Sequence, residues 1–343
     1  MALFTPIVPA AQQHPNFARM LDALHAPVRA VIDEWAEGYT NPNQNFIRDF
    51  QSQFDPQFWE LYLHAAFKDL RFDITQPNPA PDFVLGTPYG QISVEAAVTS
   101  HPKDGIPAHR GDLLLTDLRD RTEDQIVEHA TLRHCSTLQK KHEKYLNDYQ
   151  ALPGVSGRPF VLAIAPFDQP SPWSQGIEAM FRVLYGTRLK PQTDGTVLEV
   201  VEDHVLKNPK APVSLGVFMD DRYKEISAVL FSNCATVGKT RALSKGDQPC
   251  VFKALRYRAE RGALEPRVVV AEKKDYHETL LDGLCVFHNP YALRPLDNRT
   301  FFGRDVSQYF FDPATATFST DAGDGTLIQR FCVVLTTKEP GST

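Results

Sequence analysis

The chain is poor in the features that most directly announce a function. Its five cysteines, Cys135, Cys234, Cys250, Cys285 and Cys332, are scattered and form no C-x-x-C pair. That argues against a zinc site or a disulfide framework and for reduced, intracellular thiols. No stretch approaches the ~20 consecutive apolar residues of a membrane span. The opening MALFTPIVPAAQQ has neither a basic start nor a long apolar core, so it does not read as a signal peptide. A cytoplasmic protein without a membrane partner is expected. Positive charge is not in excess: 36 Lys and Arg face 42 Asp and Glu, a net charge of −6. This excludes a global field toward nucleic acid or anionic lipid but leaves room for a local basic groove. Rossmann glycines, a nucleophile elbow and a helical histidine pair at metal-ligand spacing are all missing. Gly238-Lys239-Thr240 echoes a phosphate loop but lacks the leading glycine, so nucleoside triphosphate binding is not expected.

What is present is an ordinary globular composition, 42% hydrophobic and 23% charged, long enough for two average domains or one elaborated α/β domain. Residues 16–37 carry Phe17, Met20, Leu21, Leu24, Val28, Val31 and Ile32 at helical spacing, and the pattern predicts one helix there. GYTNPNQN breaks it. FDPQFWELYLHAAFKDL predicts the next helix, with Asp55 as N-cap, Pro56 at the first helical position and Phe54 stapled onto Trp59. Strands are expected at 72–76, 82–86 and 91–99, a polar insertion from 100, a helix over 131–150, a buried strand within 158–168 and a helix at 172–185. In the second half, strands are expected at 212–219, 226–231, 267–271 and 330–336, between turn-rich segments.

Three carboxylates stand out. Glu60 lies only about 20° from Phe67 on a helical wheel of ~3.6 residues per turn, on the apolar stripe, where a carboxylate needs a partner. Asp82 opens a strand after NPAP. Glu95 shares a strand face with Ser93 and Ala97, opposite Ile92, Val94, Ala96 and Val98. Taken singly, each has a structural explanation: a first-turn acid favoured by the helix dipole, a turn aspartate, an exposed strand face.

Taken together, a helical Glu, then Pro81-Asp82, then Glu95-Ala96-Ala97 on the following strand, resembles the PD-(D/E)XK nuclease superfamily over about residues 55–168. The α-β-β-β-α-β order is similar to that family's core. The resemblance implies a restriction-endonuclease-like mixed central sheet flanked by helices, with an elaborated C-terminal half. It also implies Mg²⁺ or Mn²⁺, held by Asp82, Glu95 and the Ala96 backbone carbonyl, with Glu60 holding a second ion or a metal-bound water. Hard cations want such oxygen ligands, and a bound cation activates water and neutralises charge on a scissile phosphate. The departure is Ala97, where the family carries lysine. On the helix LQKKHEKYLNDY, with Leu138 as zero, Lys141 falls near about 300°, Tyr145 near about 340° and Tyr149 near about 20°. Lys141 borders the inward face and is the candidate migrated lysine. Lys141 and Tyr145 are i,i+4 neighbours resembling a Gln-x-x-x-Tyr pair of an exonuclease branch.

The expected organisation is a helical segment over 1–54, a nuclease-like core over 55–190 and an extension over 191–343 packed on it. In that extension Lys253, Arg256, Arg258 and Arg261, with Tyr257 between them, are candidate nucleic-acid contacts; the competing reading is a solvated helix face. The expected function is metal-dependent hydrolysis of nucleic acid, with DNA favoured, in restriction, phage defence or repair, either as a homodimer or with a partner protein of a defence system. Two alternatives stay open. One is a decayed module on the same fold that binds nucleic acid or protein. The other is a non-nuclease enzyme whose site lies in the second half.

Overall fold

A computed structural model describes residues 2–40, 43–77, 80–101, 122–167, 175–191, 197–208, 211–246, 248–260 and 265–335. The first helices are α1 (Pro15–Met20), α2 (Ala26–Trp35), α3 (Phe46–Ser52) and α4 (Phe54–Asp69). The single helix expected over 16–37 is therefore two. The Asp22 carboxylate accepts the Leu24 N–H and starts a 3₁₀ turn at Ala23–His25, and Pro27 then sits in the first turn of α2. Local capping chemistry overrides a continuous apolar stripe at this point.

α4 begins two residues earlier than expected, with Gln53 at its N-cap position and no side-chain cap. Asp55 instead accepts a hydrogen bond from Asn16 Nδ2 at 3.1 Å and tethers α1. Phe54 stacks on Phe58, while Trp59 packs against Tyr62 and Phe167. The Trp59 indole donates to the Ala163 carbonyl at 2.9 Å, which fixes the helix to the sheet beneath it.

The strands that follow are β1 (Asp73–Thr75), β2 (Phe83–Thr87) and β3 (Gly90–Val98). Then come α5 (Glu123–Lys144), one π-helical turn at Tyr145–Tyr149, and β4 (Phe160–Ala165). α5 starts eight residues before the expected 131, at a capping box in which Thr122 and Gln125 satisfy each other's backbone N–H groups. α6 (Glu178–Tyr185) precedes two short hairpins, β5 (Thr187–Pro191) with β6 (Val197–Val201) and β7 (His204–Asn208) with β8 (Ala211–Ser214). Then follow β9 (Ile226–Phe231), α7 (Val237–Leu243), β10 (Cys250–Arg256), β11 (Arg267–Glu272), β12 (Leu284–His288), β13 (Val306–Asp312), β14 (Thr317–Asp321) and β15 (Leu327–Val334). The strand expected over 212–219 is confined to β8. Strands β12, β13 and β14 were not foreseen, and β10 lies where the basic segment was read as a helix face.

The central mixed sheet has eight strands in the order β1-β2-β3-β4-β9-β12-β13-β14. β1, β2 and β3 form an antiparallel meander; β4 runs parallel to β3, and β9 parallel to β4. Half of the sheet thus comes from after residue 191, and hydrogen bonds cross the boundary expected at 190/191 at the β4–β9 pair. The run FVLAIA of β4 shows why the interior strands are apolar throughout. Val161, Ala163 and Ala165 pack toward α1 to α4; Phe160, Leu162 and Ile164 pack toward α5 and α6. A separate three-stranded sheet, β11-β10-β15, carries its own small core around Phe252, Tyr276 and Leu327. Among the described residues no helix is long and apolar enough to cross a membrane.

Candidate functional site

The site arises where two paired strands differ in length. β2 begins at Phe83, opposite Val94, so β3 runs on past its antiparallel partner from Glu95 to Val98. On its other edge the same segment stays paired with β4, Glu95 to Leu162 and Ala97 to Ile164. The N–H and C=O of Ala96 consequently face the side that β2 has left, and both find side chains there. The Asp82 carboxylate accepts the Ala96 N–H at 2.7 Å, and the Ala96 carbonyl accepts from Lys141 Nζ at 3.0 Å. Asp82 owes its position to the residue count of the hairpin: it is the last residue before β2 begins.

Lys141 comes from α5, which covers this face. Its ammonium also donates to Glu95 Oε1 at 2.8 Å. Ala97 itself packs into the core beneath α5. Glu60, on α4, accepts a hydrogen bond from the Tyr39 hydroxyl. Glu60, Asp82, Glu95, Ala96 and Lys141 all line one pocket of about 460 Å³, together with Arg133, Lys140, Lys144 and Tyr149 of the α5 region.

Tyr145 is not part of this pocket. Its ring packs on Phe160, with centroids 4.5 Å apart, and its hydroxyl lies in the field of Arg294. Burial first, with Glu225 adding to it, pushes this phenol above its usual range. The tyrosine that reaches the acids is Tyr149, one π turn further on, whose hydroxyl donates to Glu95 Oε1 at 3.2 Å. Burial and then the Glu95 charge push Tyr149 up as well, so it stays a protonated donor. Tyr149 was legible in principle: on the wheel it falls about 20° from Leu138, closer to the inward direction than Lys141 does.

Around Asp82 itself, negative charge is not balanced. Asp82 keeps part of its surface in the pocket, yet enough protein surrounds its carboxyl that desolvation raises its pKa well above the ordinary carboxylate value. The Glu95 and then the Glu60 charges raise it further; Lys141 and the Ala96 N–H pull the other way without compensating. Among the described residues, no three Asp, Glu, His or Cys side chains form a group that could hold a metal ion. Glu60 is therefore not gathered with Asp82 and Glu95 into a three-carboxylate cage. The remaining donors, two carboxylates and the Ala96 carbonyl, are the hard oxygens a divalent cation prefers, and the raised Asp82 marks charge that a cation would relieve.

The basic segment of the second half is largely committed elsewhere. Arg256, on β10, donates to Asp282 at 3.0 Å and to the carbonyls of Gly325 and His277. Arg258 pairs with Glu260, Lys253 is exposed, and Arg261 lies outside the described residues. Lys239 belongs to α7 and is fully buried, joined with Arg330 to the buried Glu278 carboxylate. A second pocket of about 520 Å³ lies beside this network, lined by Lys273, Lys274, His277, Thr279 and Asp282 among others. Both of its acids, Glu278 and Asp282, are already ion-paired.

No family model, no curated protein and no solved structure matches this chain. The functional reading therefore rests on the residues and their geometry.

Proposed function

We propose that this chain is a metal-dependent phosphodiesterase acting on nucleic acid, with DNA favoured, built on a restriction-endonuclease-like core. The observation that carries the proposal is the shared pocket of Glu60, Asp82, Glu95 and Lys141 at the point where β3 outruns β2. The order α4-β1-β2-β3-α5-β4, an antiparallel meander followed by a parallel fourth strand, supports the fold. A Mg²⁺ or Mn²⁺ ion bound at Asp82, Glu95 and the Ala96 carbonyl would supply a Lewis acid and an activated water. The chain's own groups do the rest. Lys141, held by Glu95, presents a fixed positive charge where negative charge develops on phosphate. Tyr149 keeps Glu95 oriented through its hydroxyl. Glu60, half-buried and bonded to Tyr39, keeps a carboxylate at the pocket wall, able to accept a proton from water.

The test uses the full chain with plasmid DNA and with RNA at millimolar Mg²⁺ or Mn²⁺. Cleavage is expected from the wild type and is lost in Asp82→Asn and Glu95→Gln. If both variants cut as well as wild type, the assignment is wrong. One observation favours the second reading, a decayed site that binds without cutting: the Lys141 ammonium already covers Glu95 Oε1 and the Ala96 carbonyl, two of the atoms assigned to the ion. Calorimetric titration separates the two. Heat of Mg²⁺ or Mn²⁺ binding that disappears in Asp82→Asn supports the enzyme; no binding up to millimolar concentration supports the decayed module.

A further inference from the structure

We infer that the pocket-facing stripe of α5, with Arg133, Lys140 and Lys144, is a phosphate track that holds a polynucleotide strand rather than a mononucleotide. The inference rests on the nucleic-acid reading of the acid site but moves the contact surface away from β10. Arg133, Ser136, Thr137, Lys140 and Lys144 all line the pocket that contains Glu95. With Arg133 as zero, they fall within about 60° of one direction at ~3.6 residues per turn, while Glu128 and Glu143 fall near about 220° and 280°. This wall of the pocket is thus a row of cations with hydroxyl donors between them; Glu143 borders it about 20° beyond Ser136, and no acid of α5 falls among the three cations. Phosphate oxygens are bound by this combination of Lys, Arg, Ser and Thr.

The row is too long for one phosphate. From residue 133 to 144 the helix rises about 16 Å at ~1.5 Å per residue. That is roughly the length of five phosphates along one strand of B-form DNA, at ~3.4 Å each. Its two ends are anchored to the site. Arg133 Nε donates to the Ser100 carbonyl at 2.7 Å, just past the end of β3. The Lys144 ammonium sits 4.8 Å from the centre of the Tyr149 ring, and the Tyr149 hydroxyl is bonded to Glu95. A strand following the cations is thereby led across the acids. On a chain whose net charge is −6, this stripe is a local exception to a field that repels nucleic acid.

The experiment is equilibrium binding, not cleavage. Fluorescence anisotropy of a labelled oligonucleotide, single-stranded and as a duplex, is read against NaCl concentration with EDTA present, using the full chain. Lys140 and Lys144 are exposed on the helix, so Lys140→Ala/Lys144→Ala keeps the fold. Its slope of log K against log salt is expected to fall by about 1.4 on a single strand or about 1.8 on a duplex, two contacts at ~0.7 or ~0.9 each. Lys253→Ala/Arg258→Ala should leave the slope unchanged, and dAMP should fail to compete. An unchanged slope in the α5 variant, a slope that falls instead in the β10 variant, or no wild-type binding overturns the track. Competition by dAMP equal to that of the strand overturns its polynucleotide form. If binding follows the prediction while no protein cuts with Mg²⁺, the nuclease reading fails and the track stands; if wild type cuts and the slope does not change, the reverse holds.

Discussion

Replacing Lys141 with methionine tests the electrostatic design of the site most directly. The Lys141 ammonium makes two bonds, to Glu95 at 2.8 Å and to the Ala96 carbonyl at 3.0 Å. The Glu95 side chain is 5% exposed and the Lys141 side chain 24%. Met preserves most of the aliphatic stem, so packing changes little and the loss is electrostatic. Removing one partner of a buried pair costs about 3–5 kcal/mol, because the other charge is left without compensation. Water reaches a quarter of the lysine, which screens the pair and places the expected cost of Lys141→Met at the lower end, about 3 kcal/mol. The remaining donor to Glu95, the neutral Tyr149 hydroxyl at 3.2 Å, is too weak to replace an ammonium. Urea unfolding of wild type, Lys141→Met, Glu95→Gln and the double variant at neutral pH and low salt measures this as a cycle. The single lysine variant should lose about 3 kcal/mol, and the double should recover part of it, giving a coupling of about 1–3 kcal/mol. Equal midpoints for wild type and Lys141→Met, or a coupling of zero, would refute the claim that this lysine neutralises a buried glutamate.

The raised Asp82 carries a sign. Its folded pKa lies above the unfolded value near ~3.9, so the folded state binds the extra proton and metal-free stability falls as pH rises from the unfolded toward the folded pKa. Asp82→Asn should remove that fall: in EDTA its melting temperature should exceed wild type by a margin that grows with pH across this window. A constant or shrinking margin contradicts the reading. The two tyrosines should separate in activity: Tyr149→Phe should slow Mg²⁺-dependent cleavage about five-fold, one hydrogen bond at ~1 kcal/mol, while Tyr145→Phe leaves the rate unchanged. Equal rates for wild type and Tyr149→Phe would remove Tyr149 from the site. Glu278→Ala should strand the buried Lys239 and Arg330 charges and cost about 3–5 kcal/mol, read as a loss of soluble protein or a large drop in the urea midpoint. Wild-type stability in this variant would show that the three-residue network is dispensable.

The elements around the site were legible because their patterns are local. FDPQFWELYLHAAFKDL has a helical apolar period and FVLAIA is a strand buried on both faces, while Glu60 lies within α4, Asp82 just before β2 and Glu95 within β3. The second half was harder to read for a physical reason. LCVFH and SQYFF are short apolar runs between polar turns, and their strand character comes from pairing with β9 and with each other, contacts distant in sequence. The basic run 252–267 looked like one charged face, but β10 pairs with β11 and β15, which turns alternate residues inward and consumes Arg256. The split of 16–37 needed the Asp22 turn to outweigh the apolar stripe, a competition between local hydrogen bonds that periodicity does not register.

The sequence by itself supplied the candidates: three carboxylates on successive elements, an alanine at 97, and Lys141 as a cation on the helix that follows. Only the tertiary structure decided how they meet. The gap ahead of the first residue of β2 aims both backbone groups of Ala96 at the pocket, α5 lies close enough for Lys141 to reach Glu95, and the π turn carries Tyr149 rather than Tyr145 to the acids. Residue types and spacings are properties of the chain. Strand overhang, helix approach and the local dielectric that raises Asp82 are properties of packing between segments far apart in sequence.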